Sequence, residues 1–254
     1  MIALAFVTLG EASPWVREPW GSYLKLGASR FMAAEHGSTH VVAYGELGLP
    51  GRLGLTVSVP WVESAAEDRW FTYQNRDFGD AEFALTRAIL PGPWALSASL
   101  GARVPLYPDR TGQREASWGS LASRFPSPGD GTVDLDGRIE FGRGLRIGGW
   151  GGWVEASAGY RHRLGDPVDG LVGGLRAGVV PRRGEADAGW MGVEVQGVAR
   201  LEDDPDTRTW LRTGAFGAVR LPAGVAVEAT VGWIPFAEAA AEGVDVGLAL
   251  SWMR

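Results

Sequence analysis

The chain has 254 residues, among them 38 glycines, 12 tryptophans and no cysteine, and a formal net charge of −6. Without cysteine there is no disulfide framework and no thiolate metal site, and the acidic balance argues against a nucleic-acid partner. No run approaches the ~18 apolar residues of a spanning helix, but a barrel strand needs only ~10 alternating residues to cross a membrane.

Met1 to Gly10 (MIALAFVTLG) is the most continuously apolar run, and Glu-Ala-Ser-Pro follows it. An apolar stretch ahead of small residues is the pattern of a secretory signal, here without the usual positive charge in front. Residues 1–20 are therefore read as a signal remnant and N-terminal periplasmic segment, and residues 21–254 as one barrel domain.

From Gly21 onward apolar and polar residues alternate with period two, as in strands with one greasy and one wet face. The pattern predicts strands over 21–33, 39–49, 52–62, 80–90, 93–106, 132–142, 152–164, 170–180, 189–201, 208–221, 224–234 and 243–253. That makes about twelve, an even number as single-chain bacterial barrels require. In the last of them Val244, Val246, Leu248, Leu250 and Trp252 oppose Asp245, Gly247, Ala249 and Ser251. Between 133 and 141, Asp134, Asp136, Arg138 and Glu140 share one face, which a dry soluble core could hold only if every charge were paired. The fold class that fits is all-β: a transmembrane antiparallel up-and-down β-barrel with its apolar stripe toward lipid and its charges toward an enclosed interior.

The connections alternate in kind. Leu-Pro-Gly at 49–51, Leu-Pro-Gly-Pro at 90–93 and Leu-Pro-Ala-Gly at 221–224 are tight turns, since proline presets φ and glycine admits positive φ. Residues 142–151 and 181–189 read as looser members of that set. The others (33–39, 63–79, 107–131, 165–170, 202–207 and 236–242) are longer and more polar. Short turns on one rim and long loops on the other is the asymmetry of Gram-negative outer-membrane barrels, with the long loops outside. On that assignment Trp94, Trp150 and Trp252 form a periplasmic interface belt, and Trp61, Tyr160 and Trp233 an outer one.

Three stretches, Gly-Ser-Tyr-Leu-Lys-Leu-Gly-Ala-Ser-Arg-Phe (21–31), Ala-Tyr-Gly-Glu-Leu-Gly-Leu-Pro-Gly-Arg-Leu-Gly-Leu-Thr-Val-Ser-Val-Pro-Trp (43–61) and Gly-Asp-Ala-Glu-Phe-Ala-Leu-Thr-Arg (79–87), carry a resemblance. They resemble the outer-membrane barrels of the meta-pathway phenol-degradation, transporter-like family, and cover roughly the first third of the chain. The resemblance implies an outer-membrane barrel that passes small molecules, apolar ones included.

The face opposite the apolar stripe collects Lys25, Glu46, Glu82, Arg103, Asp134, Asp136, Arg138, Glu140, Glu155, Arg161, Arg163, Arg176, Glu194, Arg200, Arg212, Glu228 and Asp245. These are candidate pore-lining residues whose charges sort solutes; the competing reading is a salt-bridge network that fills the interior and only stabilises it. The signs are mixed, so no strong cation or anion preference is expected. Gln113–Phe125 reads as a short helix in the longest loop, either a constriction or an outer segment, and Arg69–Phe78 as an aromatic-rich loop. The acidic run Glu202–Asp206 lacks the spacing of a calcium loop, and neither a metal nor another cofactor is expected. An outer-membrane lipid hydrolase needs a serine and a histidine at the lipid boundary; His162 has the parity and position, but Leu164 stands where such enzymes place the serine. The sequence thus favours a passive channel or uptake barrel in contact with outer-membrane lipid. The rivals are a filled structural, adhesion or assembly barrel, a hydrolase, and a soluble lipocalin-like or sandwich protein.

Overall fold

A computed structural model of the chain describes residues 14–34, 36–67, 72–107, 131–165, 168–183, 186–202, 209–238 and 242–254. Its strands are β1 (Ser22–Met32), β2 (His36–Leu49), β3 (Leu53–Glu67), β4 (Thr72–Phe78), β5 (Asp80–Leu90), β6 (Trp94–Pro105), β7 (Val133–Ile147) and β8 (Trp150–Leu164). They continue with β9 (Gly170–Val180), β10 (Arg182–Arg183), β11 (Ala186–Asp187), β12 (Gly189–Arg200), β13 (Thr209–Arg220), β14 (Val225–Glu238) and β15 (Gly243–Met253). Every pairing is antiparallel between neighbours, and β1 lies between β2 and β15. β3 bonds β5 along its first part and β4 along its second, so β4 and β5 share one place in the wall. The β2–β3 pairing joins the two ends of the strand order. Among the described residues this is a closed barrel of twelve antiparallel positions. Closure removes the free edges that an open sheet leaves for aggregation, and it gives each strand of the wall a partner on both sides, as lipid demands.

The faces sort as the period predicts. Leu26, Leu100, Leu175, Val193 and Leu248 are 60–74% exposed on the outside, while Asp245, Glu228 and Ser97 on the opposite parity are 6%, 5% and 0% exposed. An encircling belt of bare leucine and valine is a liability in water and the natural surface against acyl chains. The soluble sandwich reading ends here.

Several boundaries differ from the sequence expectation. Residues 63–79 were expected as a loop, but β3 runs on to Glu67 and pairs with β4, where Arg76 Nη2 meets Glu63 Oε1 at 2.6 Å across the register. The loose connection expected over 142–151 is instead a tight hairpin: β7 reaches Ile147, and Gly148 and Gly149 turn with φ of 56° and 91°. Positive φ at both positions matches the right-handed twist of the flanking strands. β14 likewise extends through Pro235 to Glu238. The helix expected over 113–125, residues 1–13, Trp70 and Phe71, and residues 203–206 of the acidic run lie outside the described residues.

Residues 14–20 are not peripheral to the barrel. They lie across the short-turn rim, with Trp20 N–H donating to Gly48 O at 2.7 Å and Trp15 Nε1 donating to Gly92 O at 3.0 Å. The wall is glycine where the segment leans on it. A Cβ at Gly48 would stand 2.0 Å from Glu18 O, and one at Gly142 would stand 2.4 Å from Pro14 Cγ.

Candidate functional site: the barrel interior

Every charged side chain assigned to the interior points inward, and the most open of them, Arg176, is 19% exposed. Register explains how they meet. Glu155, Arg176 and Glu194 are direct cross-strand partners on β8, β9 and β12. The same row continues through Gly214 and Gly232 to Asp245 on β15. Arg212 fills the gap left by the two glycines. Its Nε and Nη2 bond the two oxygens of Asp245 at 2.8 and 2.7 Å, and its Nη1 bonds Glu194. A Cβ at Gly232 would lie 2.4 Å from Arg212 Nη2, so glycine is what lets the guanidinium lie flat over β14. Arg176 completes the row at 3.5 Å from Glu194 and stacks over the Phe216 ring at 4.8 Å. Trp153 packs beside Phe216, with ring centroids 6.4 Å apart.

A second group lies on β5 to β8. Arg103 bonds Glu82 at 2.7 Å; Asp136 takes Arg138 at 2.6 Å and a two-pronged bond from Arg161 at 2.8 and 3.0 Å. Asp134, fully buried, sits 3.6 Å from Arg161. Glu140 is held by hydroxyls, Ser97 Oγ at 3.0 Å and Ser99 Oγ at 3.1 Å. A third group joins the ends of the barrel: Lys25 Nζ is 3.1 Å from Glu228, which also accepts from Tyr23 OH at 2.5 Å. Glu46 accepts from Tyr44 OH and from Arg17 of the N-terminal segment, both at 2.6 Å. Arg200 reaches Glu238 at 3.1 Å near the long-loop rim.

Ion pairs and rings thus occupy much of the interior. Among the described residues, cavities remain between them on the side running from β14 through β15, β1, β2 and β3 to β7. The first, about 70 Å³, lies against Lys25, Gly27, Val42, Tyr44, Thr230 and Gly247. The second, about 50 Å³, lies against Thr56, Thr86, Ser99, Glu82 and Arg138. Each has room for several waters and the polar partners to hold them. Above them Phe31 and Ile234 are buried together with Trp210 against them, an apolar cluster at the long-loop end. Below them lies the 14–20 segment.

The interface aromatics stand on the outer face. Trp94, Trp150 and Trp252 are 52%, 45% and 37% exposed toward the short-turn rim, and Trp233 and Tyr160 are 57% and 44% exposed toward the other. Arg143 lies 4.2 Å over the Trp94 ring, beside Phe141. Trp61 has the same parity but stands within β3 rather than near its end, because that strand is longer than the pattern shows. His162 is exposed on the outer face and its Nδ1 meets Asp169 at 3.1 Å. Asp169 also accepts from Tyr160 OH and from the Arg163 amide, and these bonds hold its carboxyl down at about 2. Among the described residues no cluster of three or more potential ligands is placed to hold a metal ion.

Sequence reasoning missed the hydroxyl partners of Glu140, the inward rings Trp153 and Phe216, and the N-terminal segment. Trp153 and Phe216 share the parity of Glu155 and Arg212, and that was the available signal.

The geometry has solved counterparts. The COG4313 outer membrane channel from Pseudomonas putida F1 superposes with a TM-score of 0.70 at 9% identity, over 97% of this chain and 100% of that one. The fold is that of outer-membrane β-barrels. The beta domain of the Bordetella autotransporter BrkA gives 0.55 at 10% identity over 93% and 100% of the two chains. The KdgM porin gives 0.53 at 5% identity over 90% and 98%. No family model matches the chain, and no curated protein matches it by sequence.

Proposed function

We propose that the protein is a passive channel or uptake barrel of the Gram-negative outer membrane for small molecules. The observation that carries this reading is a charged, enclosed interior that keeps cavities among its ion pairs, one against Lys25, Tyr44 and Thr230 and another against Thr56, Thr86 and Ser99. The exposed apolar belt and its interface aromatics support residence in a bilayer. The solved barrels of similar fold that are called a channel and a porin support the outer membrane and passage through it. The resemblance of residues 21–31, 43–61 and 79–87 to the transporter-like family supports small, partly apolar cargo. On this reading the short-turn rim is periplasmic, residues 14–20 narrow that mouth, and no catalytic step is involved.

The interlocked ladder of Glu155, Arg176, Glu194, Arg212 and Asp245 favours the second reading, a filled barrel with a structural role. Planar-bilayer recording on the purified protein separates the two. Conductance above that of the empty bilayer is the expected result, and a silent membrane sinks the channel.

A further inference from the structure

Inside the barrel arginine meets carboxylate, as Arg176 and Arg212 do, but on one part of the outer face it does not. Arg143 on β7 and Arg87 on β5 are exposed on the outward parity. Arg143 follows Ile139 and Phe141, and Arg87 follows Phe83 and Leu85, so toward the short-turn rim each strand passes from apolar to cationic. Arg143 lies over the Trp94 ring and has neither a hydrogen bond nor a carboxylate partner among the described residues. Arg87 stands opposite Leu53, and the Ala88 amide donates to Arg52 O at 2.9 Å, which brings the exposed Arg52 of the β2–β3 turn alongside. Arg52 and Arg87 are likewise without a carboxylate partner among the described residues. The stretches that build this part of the rim, 47–61, 83–100 and 141–154, contain no aspartate or glutamate. Elsewhere on the same rim the charges are compensated, for Arg182 and Arg220 both face Asp187, at 3.7 and 3.6 Å.

An arginine on a lipid-facing strand is tolerated where its long stem carries the guanidinium to the headgroups. The guanidinium fork matches the paired oxygens of a phosphate. We infer that the outer face of β3, β5, β6 and β7 at the short-turn rim binds the phosphate of an anionic phospholipid, Arg143 taking one headgroup and Arg52 with Arg87 a second. Trp94 and Phe141, with ring centroids 5.7 Å apart, offer the adjoining surface to the glycerol and upper chains. With the short-turn rim periplasmic, this is the inner leaflet of the outer membrane. The site needs only a bilayer and stands whether or not the barrel conducts.

Mass spectrometry of the intact, detergent-solubilised protein titrated with dioleoylphosphatidylglycerol tests the site. Wild type is expected to retain this lipid in preference to dioleoylglycerol, which has the same chains and no phosphate. It is also expected to prefer it to dioleoylphosphatidylcholine, whose choline cancels the charge. The double variant Arg87→Gln, Arg143→Gln should raise the apparent Kd for phosphatidylglycerol about tenfold or more, as the loss of charge-assisted hydrogen bonds implies. Arg182→Gln, on the compensated part of the rim, should keep the wild-type value. Heat-modifiable gel mobility checks that each variant is folded. Equal retention of phosphatidylglycerol and dioleoylglycerol by wild type overturns the site, and that comparison needs no variant. Equal retention of phosphatidylcholine overturns the anionic class. A wild-type Kd in the folded double variant, or an equal loss in Arg182→Gln, overturns the location.

Discussion

At the scale of single residues, Gly232 decides whether the longest charge row can form. Gly232→Ala places a methyl where Arg212 now lies, 2.2 Å from Asp245 Oδ2, so the guanidinium must lift off one or both carboxylates. Breaking one partner out of a buried pair costs about 3–5 kcal/mol. The expected outcome is a marked drop in the denaturant concentration at which the folded barrel loses its heat-modifiable gel mobility. Asp169 acts at the outer rim in the opposite manner, through pH. Its carboxyl is depressed from an ordinary 3.8 to about 2 by the bonds from Tyr160, the Arg163 amide and His162. A depressed folded value means that the tether is fully present above 3.8 and is lost as pH falls through about 2. Hydrogen-exchange protection of the Arg163 amide should therefore hold through mildly acidic pH, and should be missing at every pH in Asp169→Ala, which leaves no side-chain acceptor. The inward parity of these charges was legible in the sequence, because alternation fixes the face. Their pairing was not: Arg212 skips a strand to reach Asp245, and no spacing in the chain encodes a contact made over two glycines.

At the scale of elements, strand positions were readable because turn chemistry and alternation agree over most of the wall. Where they misled, a polar strand had looked like a loop. Thr72–Phe78 carries Gln74, Asn75, Arg76 and Asp77 and no apolar stripe, and it pairs with β3 through a backbone ladder from Trp61↔Phe78 to Glu67↔Thr72, with Arg76 meeting Glu63 across it. The N-terminal segment was missed for another reason: it has no periodicity, and its place is set by tertiary anchors. Arg17 ties it to Glu46 and lies 4.9 Å over the Tyr23 ring. Arg17→Ala removes both, and a partly exposed ion pair with a ring contact is worth about 1 kcal/mol. The segment should then leave the rim several-fold more often, read as a larger open fraction in single-channel records. An unchanged open fraction would mean that residues 14–20 do not limit passage.

At the scale of the whole molecule, the outer belt sets where the protein can live. Leu248 lies midway along β15 and is 67% exposed. Leu248→Arg should cost about 2–4 kcal/mol of folding free energy in a bilayer, as arginine does at the membrane midplane. An arginine in one of the loops should cost almost nothing. Folding titrations into lipid vesicles measure both. The barrel's closure followed from strand number, a property that a linear chain displays openly. The positions of the cavities did not, since they depend on which of many paired charges fill space and which line it.

Asp245 belongs to the final strand, and Arg212 reaches it from two strands earlier. Until β15 docks between β14 and β1, the guanidinium has only Glu194 of its two carboxylate partners. Docking of β15 supplies the carboxylate that completes the row, so sealing the cylinder carries an electrostatic gain beyond its backbone ladder.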